Sequence, residues 1–84
     1  MRFIVYNPYM KYLKKIEKVL EKKPATWEKY VHKEGGKEEI LSMEIREYKE
    51  LGENASIKEK CKALKHIAGA SILLMESLGG KDDE

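Results

Sequence analysis

The sequence predicts a small all-α domain that ends in an antiparallel helix hairpin and assembles into an oligomer. Apolar side chains recur at spacings of three and four residues along most of the chain, which is the pattern of amphipathic helices. Pro24, Gly35, Gly36 and Gly52 divide that pattern into segments of helical length. The composition, 42% hydrophobic and 38% charged, is typical of a folded chain with a charged helical surface.

The chain of 84 residues is predicted to be a single domain, 1–84. The predicted elements are an extended N-terminus (1–6), four helices (8–23, 27–33, 37–51 and 57–78) and a tail (79–84). The β-prone N-terminus leaves three interpretations open: an isolated extended segment, an edge strand at an oligomer interface, or the start of the first helix.

The predicted boundaries rest on local start and stop signals. Asn7 is the predicted N-cap of the first helix, and Pro8 stands at the first helical position, where proline is favoured. Pro24 ends this helix. Ser56 and Glu59 have the spacing of a capping box, in which each side chain bonds the other residue's backbone N–H. The last helix is therefore predicted to begin directly after Ser56.

The last predicted helix is apolar around roughly 200° of its circumference, about twice what a helix on the outside of a monomer needs. One line of side chains, called the 57–75 stripe below, contains Ile57, Cys61, Leu64, Ala68, Ile72 and Met75. A second line contains Ala63, Ile67, Ala70, Leu74 and Leu78. We therefore expect this helix to be buried on two sides, against its hairpin partner and against either the first helix or another subunit. A homo-oligomer is the simplest consequence.

The net charge of +2, from 17 basic and 15 acidic residues, does not indicate binding of a long nucleic acid. Basic residues do cluster at Lys58, Lys60, Lys62 and Lys65. With Arg46 they are candidates to hold the phosphate oxygens of a small ligand through charge-assisted hydrogen bonds. The alternative is that they form only the solvated face of a long helix.

A single cysteine, Cys61, excludes an intrachain disulfide and fits a reducing compartment. Its place in an apolar stripe favours packing over a nucleophilic thiolate. The longest uncharged run, 67–75, is about half of the roughly 20 residues needed to span a bilayer. We therefore expect a cytoplasmic protein with no membrane partner.

The predicted helix 37–51 carries the most informative residue of the chain, Glu44. Its carboxylate falls near the middle of an apolar face formed by Ile40, Leu41, Ile45, Tyr48 and Leu51. A carboxylate placed there is costly unless a cation, a metal or hydrogen bonds satisfy it. Glu47 lies one turn further on, a spacing that suits a shared Mg²⁺ ion. The alternative is a pair in which Glu47 is solvated and Glu44 forms a salt bridge with a lysine.

Three further side chains are candidates for a binding site. His66, at the flank of the apolar face of the last helix, is either a metal ligand, a ligand-binding donor, a base, or a satisfied boundary residue. Trp27 and Tyr48 are candidates to stack on a nucleotide base, although core packing explains them equally well.

The predicted hairpin resembles the MazG-like nucleoside triphosphate pyrophosphohydrolases, including their short phage forms. The first half of the match is 40–47, ILSMEIRE, with Glu44 and Glu47 at the positions of an ExxE motif. The second half is 63–70, ALKHIAGA, which is similar to the apolar segment after the family's second motif, ExxD. The resemblance covers roughly 27–78. It implies an all-α oligomer in which the two motifs jointly hold Mg²⁺ against a nucleotide's phosphates.

The chain departs from this family at the second motif, where Ala63 and His66 stand at the expected acid positions. Two of the four metal ligands are then missing, which leaves too few oxygen donors to hold Mg²⁺ well. Glu44 would need a new partner, for which protonated His66 or Lys65 would serve. Glu59, a turn before Ala63, is the one candidate to replace a lost ligand.

A second resemblance links 58–64, KEKCKAL, to the second hairpin helix of small phage sponge proteins that sequester nucleotide immune signals. The leading hypothesis is therefore an oligomeric, non-catalytic nucleotide-binding protein without a cofactor, in one form a phage anti-defence protein. Its proposed ligand-binding residues are Arg46, Lys62, Lys65, His66, Tyr48 and Trp27. One alternative is a Mg²⁺-dependent pyrophosphohydrolase that uses Glu44, Glu47, Glu59 and His66. The other is a protein-binding inhibitor module.

Overall fold

The structure is a computed structural model that describes residues 7–79. Its regular secondary structure over these residues is entirely helical, so the all-α prediction is confirmed for this part of the chain. The elements are α1 (Met10–Glu21), a 3₁₀ turn (Ala25–Trp27), α2 (Glu28–Val31), α3 (Gly36–Glu50) and α4 (Ile57–Ser77). The predicted extended segment 1–6 and the tail beyond residue 79 lie outside the described residues.

Asn7 and Pro8 precede α1, and Asn7 forms hydrogen bonds with the residues that follow it. The Asn7 side-chain oxygen accepts a hydrogen bond from the backbone N–H of Tyr9 at 2.9 Å, and its carbonyl accepts one from Met10 at 3.1 Å. Asn7 and Pro8 therefore form a turn before the helix, and α1 begins at Met10.

The hairpin loop has the capping chemistry that its sequence predicts. The Ser56 hydroxyl accepts from the Glu59 backbone N–H at 3.0 Å, and the Glu59 carboxylate accepts from the Ser56 N–H at 2.9 Å. These hydrogen bonds hold the pKa of the Glu59 carboxyl below its ordinary value. At the other end of the loop Gly52 has φ of 77°, a left-handed conformation that favours glycine and ends α3.

The core lies where α1, the 3₁₀ turn, α3 and α4 meet. Helix α4 is central, since it packs most extensively against α3 and also against α1. The buried apolar side chains that fill the core are Val19, Trp27, Ile40, Ala70 and Leu73. One side of α4 is therefore covered by its hairpin partner and another by the first helix.

Two glycines permit close approach of these elements. A Cβ at Gly69 would lie 3.0 Å from Val19 Cγ1 and 3.6 Å from Trp27 Cη2, so the absent side chain lets α4 approach both. A Cβ at Gly36 would overlap the carbonyl oxygen of Tyr30, so the start of α3 is fitted against the end of α2. The glycine at position 69 thus lets the ring of Trp27 pack closely against α4.

The 57–75 stripe of α4 is largely uncovered. Its exposed fractions are 79% at Ile57, 46% at Leu64, 39% at Ile72 and 56% at Met75. Cys61 is also exposed, so the expected packing role of its thiol is not found within residues 7–79. Over residues 7–79, no helix combines the length and apolar character needed to cross a bilayer.

Candidate functional site

Glu44 lies in the interior, as the periodicity of α3 predicts. Only 1% of its surface is exposed, and it is the one charged residue among the buried residues of the described chain. Its Oε2 accepts a hydrogen bond of 2.6 Å from the indole Nε1–H of Trp27, which is fully buried. A short hydrogen bond to a charged acceptor in a low-dielectric interior is stronger than its counterpart in water.

His66 contacts the other oxygen of the same carboxylate. Its Nδ1 lies 3.5 Å from Glu44 Oε1, a separation at which a protonated ring forms an ion pair but only a weak hydrogen bond. The imidazole also packs edge to face against the Trp27 ring, with centroids 6.1 Å apart and planes at 73°. Trp27, Glu44 and His66 thus form one network, called the Glu44 network below, in which Trp27 and Glu44 are buried and His66 is half-buried. Oε1 has no hydrogen-bond partner within the described chain.

Glu47 lies at the outer edge of this network. It is exposed, and partial removal of its carboxyl from water raises its pKa above the ordinary value near 4.5. The negative charge of Glu44 raises it further, while His66 acts in the opposite direction. The two carboxyls of the ExxE pair are therefore close enough to repel each other, one buried and one facing water.

The structure does not bring three or more metal-ligating side chains together within residues 7–79. No group of three or more His, Cys, Asp or Glu side chains is placed there to hold a metal ion. Glu59, the candidate replacement ligand, is engaged at the N-cap of α4, and Ala63 is buried without a donor atom. Trp27 donates a hydrogen bond to Oε2 of Glu44, so that oxygen is engaged, whereas Oε1 has no hydrogen-bond partner within residues 7–79.

The predicted phosphate-binding residues divide into two groups. Lys62 is exposed and Lys65 half-buried on α4, and with Lys58 they lie within about 60° of one another at 100° per residue. Arg46 is exposed on α3 two residues after Glu44, a spacing that turns it away from the face against α4. The structure therefore places the lysines in one row and Arg46 apart from them.

The predicted base-stacking residues also lie apart. Trp27 is inside the core, so a base could reach its ring only if the core opened, whereas Tyr48 is 36% exposed on α3.

Two surface depressions lie elsewhere, one formed by residues of the 7–14 segment and one by the 3₁₀ turn, α2 and Met43. None of the lining residues belongs to the Glu44 network or to the lysine row.

The Trp27–Glu44 hydrogen bond was not predicted from the sequence. The sequence indicated that Glu44 needs a partner and pointed to His66 or Lys65, and His66 is indeed adjacent to it. The single tryptophan of the chain could have indicated this bond, because a buried indole N–H must find a hydrogen-bond acceptor.

Comparisons with known protein families, curated proteins and solved structures found no match to this chain.

Replacing Trp27 by Phe removes the indole N–H and leaves Glu44 Oε2 without its donor. We expect Trp27→Phe to lower the free energy of unfolding by about 1–3 kcal/mol, measured by urea denaturation, because a buried acceptor left unpaired keeps its desolvation cost. The same change in a Glu44→Met background should cost less, with a coupling of at least about 0.5 kcal/mol between the two sites. Strict additivity of the two substitutions would show that the hydrogen bond contributes nothing.

The raised pKa of Glu47 predicts a pH dependence of stability. Folded Glu47 binds a proton more readily than unfolded Glu47, so its contribution to the free energy of unfolding is full below pH 4.5 and is lost as the pH rises through the folded-state pKa. We expect Glu47→Gln to remove this loss, so that the variant gains stability relative to the wild type above pH 4.5. Glu17→Gln, a change at an exposed site on α1, is the control for loss of one charge. A constant difference between wild type and Glu47→Gln from pH 4 to 7 would contradict the assignment.

Proposed function

We propose that this chain is a small, non-catalytic protein that binds a phosphorylated ligand, in its most specific form a nucleotide. The observation that carries the proposal is the row of Lys58, Lys62 and Lys65 along one edge of α4. Within residues 7–79 these ammonium groups have no carboxylate at ion-pair distance, since the one ion-pair contact there joins His66 and Glu44. Three like charges in one line repel one another, and an anion relieves that repulsion.

The chemistry of the row suits phosphate. Each lysine supplies a mobile ammonium with three donors, which binds phosphate oxygens as a point charge. Consecutive members of the row are one helical turn apart, so two or more can contact neighbouring phosphates of one ligand. Tyr48 is the exposed aromatic side chain on the adjacent helix α3 and is the proposed contact for the base.

The Glu44 network supports the absence of hydrolysis. Mg²⁺-dependent hydrolysis of a nucleoside triphosphate needs carboxylate oxygens that are free to bind the ion. Glu44 is instead bonded to Trp27 and faces His66, and Glu47 alone would hold a divalent cation weakly. A protein with this arrangement retains its ligand rather than converting it. Sequestration of a nucleotide signal of bacterial immunity by a phage protein is one concrete form of this proposal, and its support is the resemblance at 58–64 and 40–47.

The second candidate is Mg²⁺-dependent pyrophosphohydrolysis. Its support is the mutual repulsion of Glu44 and Glu47, which a cation between the two carboxyls would relieve. Catalysis by this route requires Oε1 of Glu44, which has no hydrogen-bond partner within residues 7–79, to exchange its contact with His66 for one with the metal. The two candidate functions thus differ in whether the Glu44 carboxylate binds only protein groups or also a metal ion.

Ligand binding is tested by thermal denaturation and calorimetry with a nucleoside triphosphate, a cyclic dinucleotide, ADP-ribose and inorganic phosphate. We expect at least one nucleotide to stabilise the protein, by about 2.7 kcal/mol at one hundred times its dissociation constant. Lys62→Gln/Lys65→Gln should weaken that binding at least about tenfold, because it removes two charge-assisted contacts. Lys14→Gln/Lys18→Gln, which removes the same charge from exposed sites on α1, is the matched control.

Three outcomes of that experiment are decisive against the proposal. Absence of stabilisation by every ligand would overturn it, and so would an equal loss of affinity in the α1 control, which would indicate non-specific attraction. Release of pyrophosphate in the presence of Mg²⁺, abolished in Glu44→Gln, would replace the non-catalytic proposal with the hydrolase.

A further inference from the structure

The 57–75 stripe is an apolar surface that residues 7–79 of the same chain leave largely exposed. Helix α4 already packs against α3 and α1 through other side chains, including Ala70 and Leu73. Leu64 and Met75 of the stripe each leave about half of their surface exposed, on the side of α4 away from this core. A continuous apolar line of this kind on a small domain marks an interaction surface.

The spacing of the stripe is symmetric about one residue, Ala68. Cys61 and Leu64 lie seven and four residues before it, and Ile72 and Met75 lie four and seven residues after it. From residue 61 to residue 75 the spacing is therefore the same in both directions, with the smallest side chain at its centre, and Ile57 lies outside this symmetric part. An interface between two identical surfaces related by a two-fold axis needs this kind of self-complementarity.

We infer that a second copy of this chain covers the stripe, with the two α4 helices antiparallel and crossing at Ala68. In this register Leu64 of each copy meets Ile72 of the other, and Cys61 meets Met75. Ala68 packs on its own equivalent, where a small side chain lets two helices approach closely. The spacings of three and four residues supply the ridges and grooves of helix packing along about 21 Å, the length of helix from residue 61 to residue 75.

Charge at the edge of the stripe selects the antiparallel orientation. Lys58 and Glu76 are separated by five full helical turns at 100° per residue, so they flank the stripe on the same side, and both are exposed. In the antiparallel pair Lys58 of each copy lies near Glu76 of the other, which gives two attractive pairs. In a parallel two-fold pair the two copies of this edge lie on opposite sides of the interface, so these attractive pairs are absent.

This inference rests on the apolar side chains of the stripe and not on ligand binding, although Lys58 belongs both to the lysine row and to the edge of the stripe. Its first test is the mass in solution, measured by sedimentation velocity over a roughly hundredfold range of protein concentration. We expect a dimer that dissociates on dilution, and we expect Leu64→Glu to be monomeric with unchanged helix content. Leu13→Glu is the matched control, since Leu13 on α1 is 50% exposed and Leu64 46%, and it should still dimerise.

Cross-linking tests the orientation and the register. Met75→Cys places a thiol opposite the native Cys61 of the second copy, so mild oxidation should give a covalent dimer with two such bonds. Within one chain the two sulfur atoms are about 21 Å apart along α4 and cannot join. The wild type should give no covalent dimer, because its single Cys61 is equally far from its own equivalent. Glu53→Cys, a change in the exposed loop before α4, is the control for random oxidation.

Each contrary result overturns a stated part of the inference. A monomer at all concentrations, or equal loss of the dimer in Leu13→Glu and Leu64→Glu, would show that the stripe is not the interface between copies. Efficient cross-linking of wild-type Cys61 would show a parallel pair. Binding of a monomeric wild type to phosphatidylcholine vesicles, lost in Leu64→Glu, would show that the stripe serves a lipid surface instead.

Discussion

The hydrogen bond between Trp27 and Glu44 is the interaction on which the rest of the structure depends. A carboxylate that is 1% exposed must find donors inside the protein, or its burial costs several kcal/mol. The indole N–H of Trp27 is such a donor, and it comes from the 3₁₀ turn, far from Glu44 along the chain. His66 on α4 contacts the same carboxylate. One buried group thus joins three elements, and it specifies how the 3₁₀ turn and α4 sit on α3.

The same interaction separates the interior of the domain from its surface chemistry. Since Glu44 is bonded within the core, the ExxE pair is divided into a buried member and an exposed Glu47 whose pKa is raised. Helix α4 then has three distinct sides: a core side with His66, an edge with the lysine row, and the uncovered 57–75 stripe. Ligand binding and self-association are assigned to the latter two, so each can be altered without breaking the core.

The sequence predicted those features that depend on local chemistry. The helical class of the described residues, the capping box at Ser56 and the burial of Glu44 on the apolar face of α3 are all confirmed. The Trp27–Glu44 bond could not be predicted in the same way, because it depends on how the 3₁₀ turn docks in three dimensions. The sequence likewise did not show which of the two apolar lines of α4 faces the core of the same chain. Packing against Val19 and Trp27 decided which side of α4 faces inward, and it left Cys61 exposed.

The central claim is that Trp27, and not a metal ion, binds Oε2 of Glu44. Because the chain has one tryptophan, its spectrum contains one indole N–H signal, and NMR hydrogen exchange reports on this bond directly. The account predicts that the signal exchanges far more slowly than that of a free indole, and that neither EDTA nor Mg²⁺ changes its position or its exchange rate. Rapid exchange, or a shift of the signal on addition of Mg²⁺ that is lost in Glu44→Gln, would contradict it.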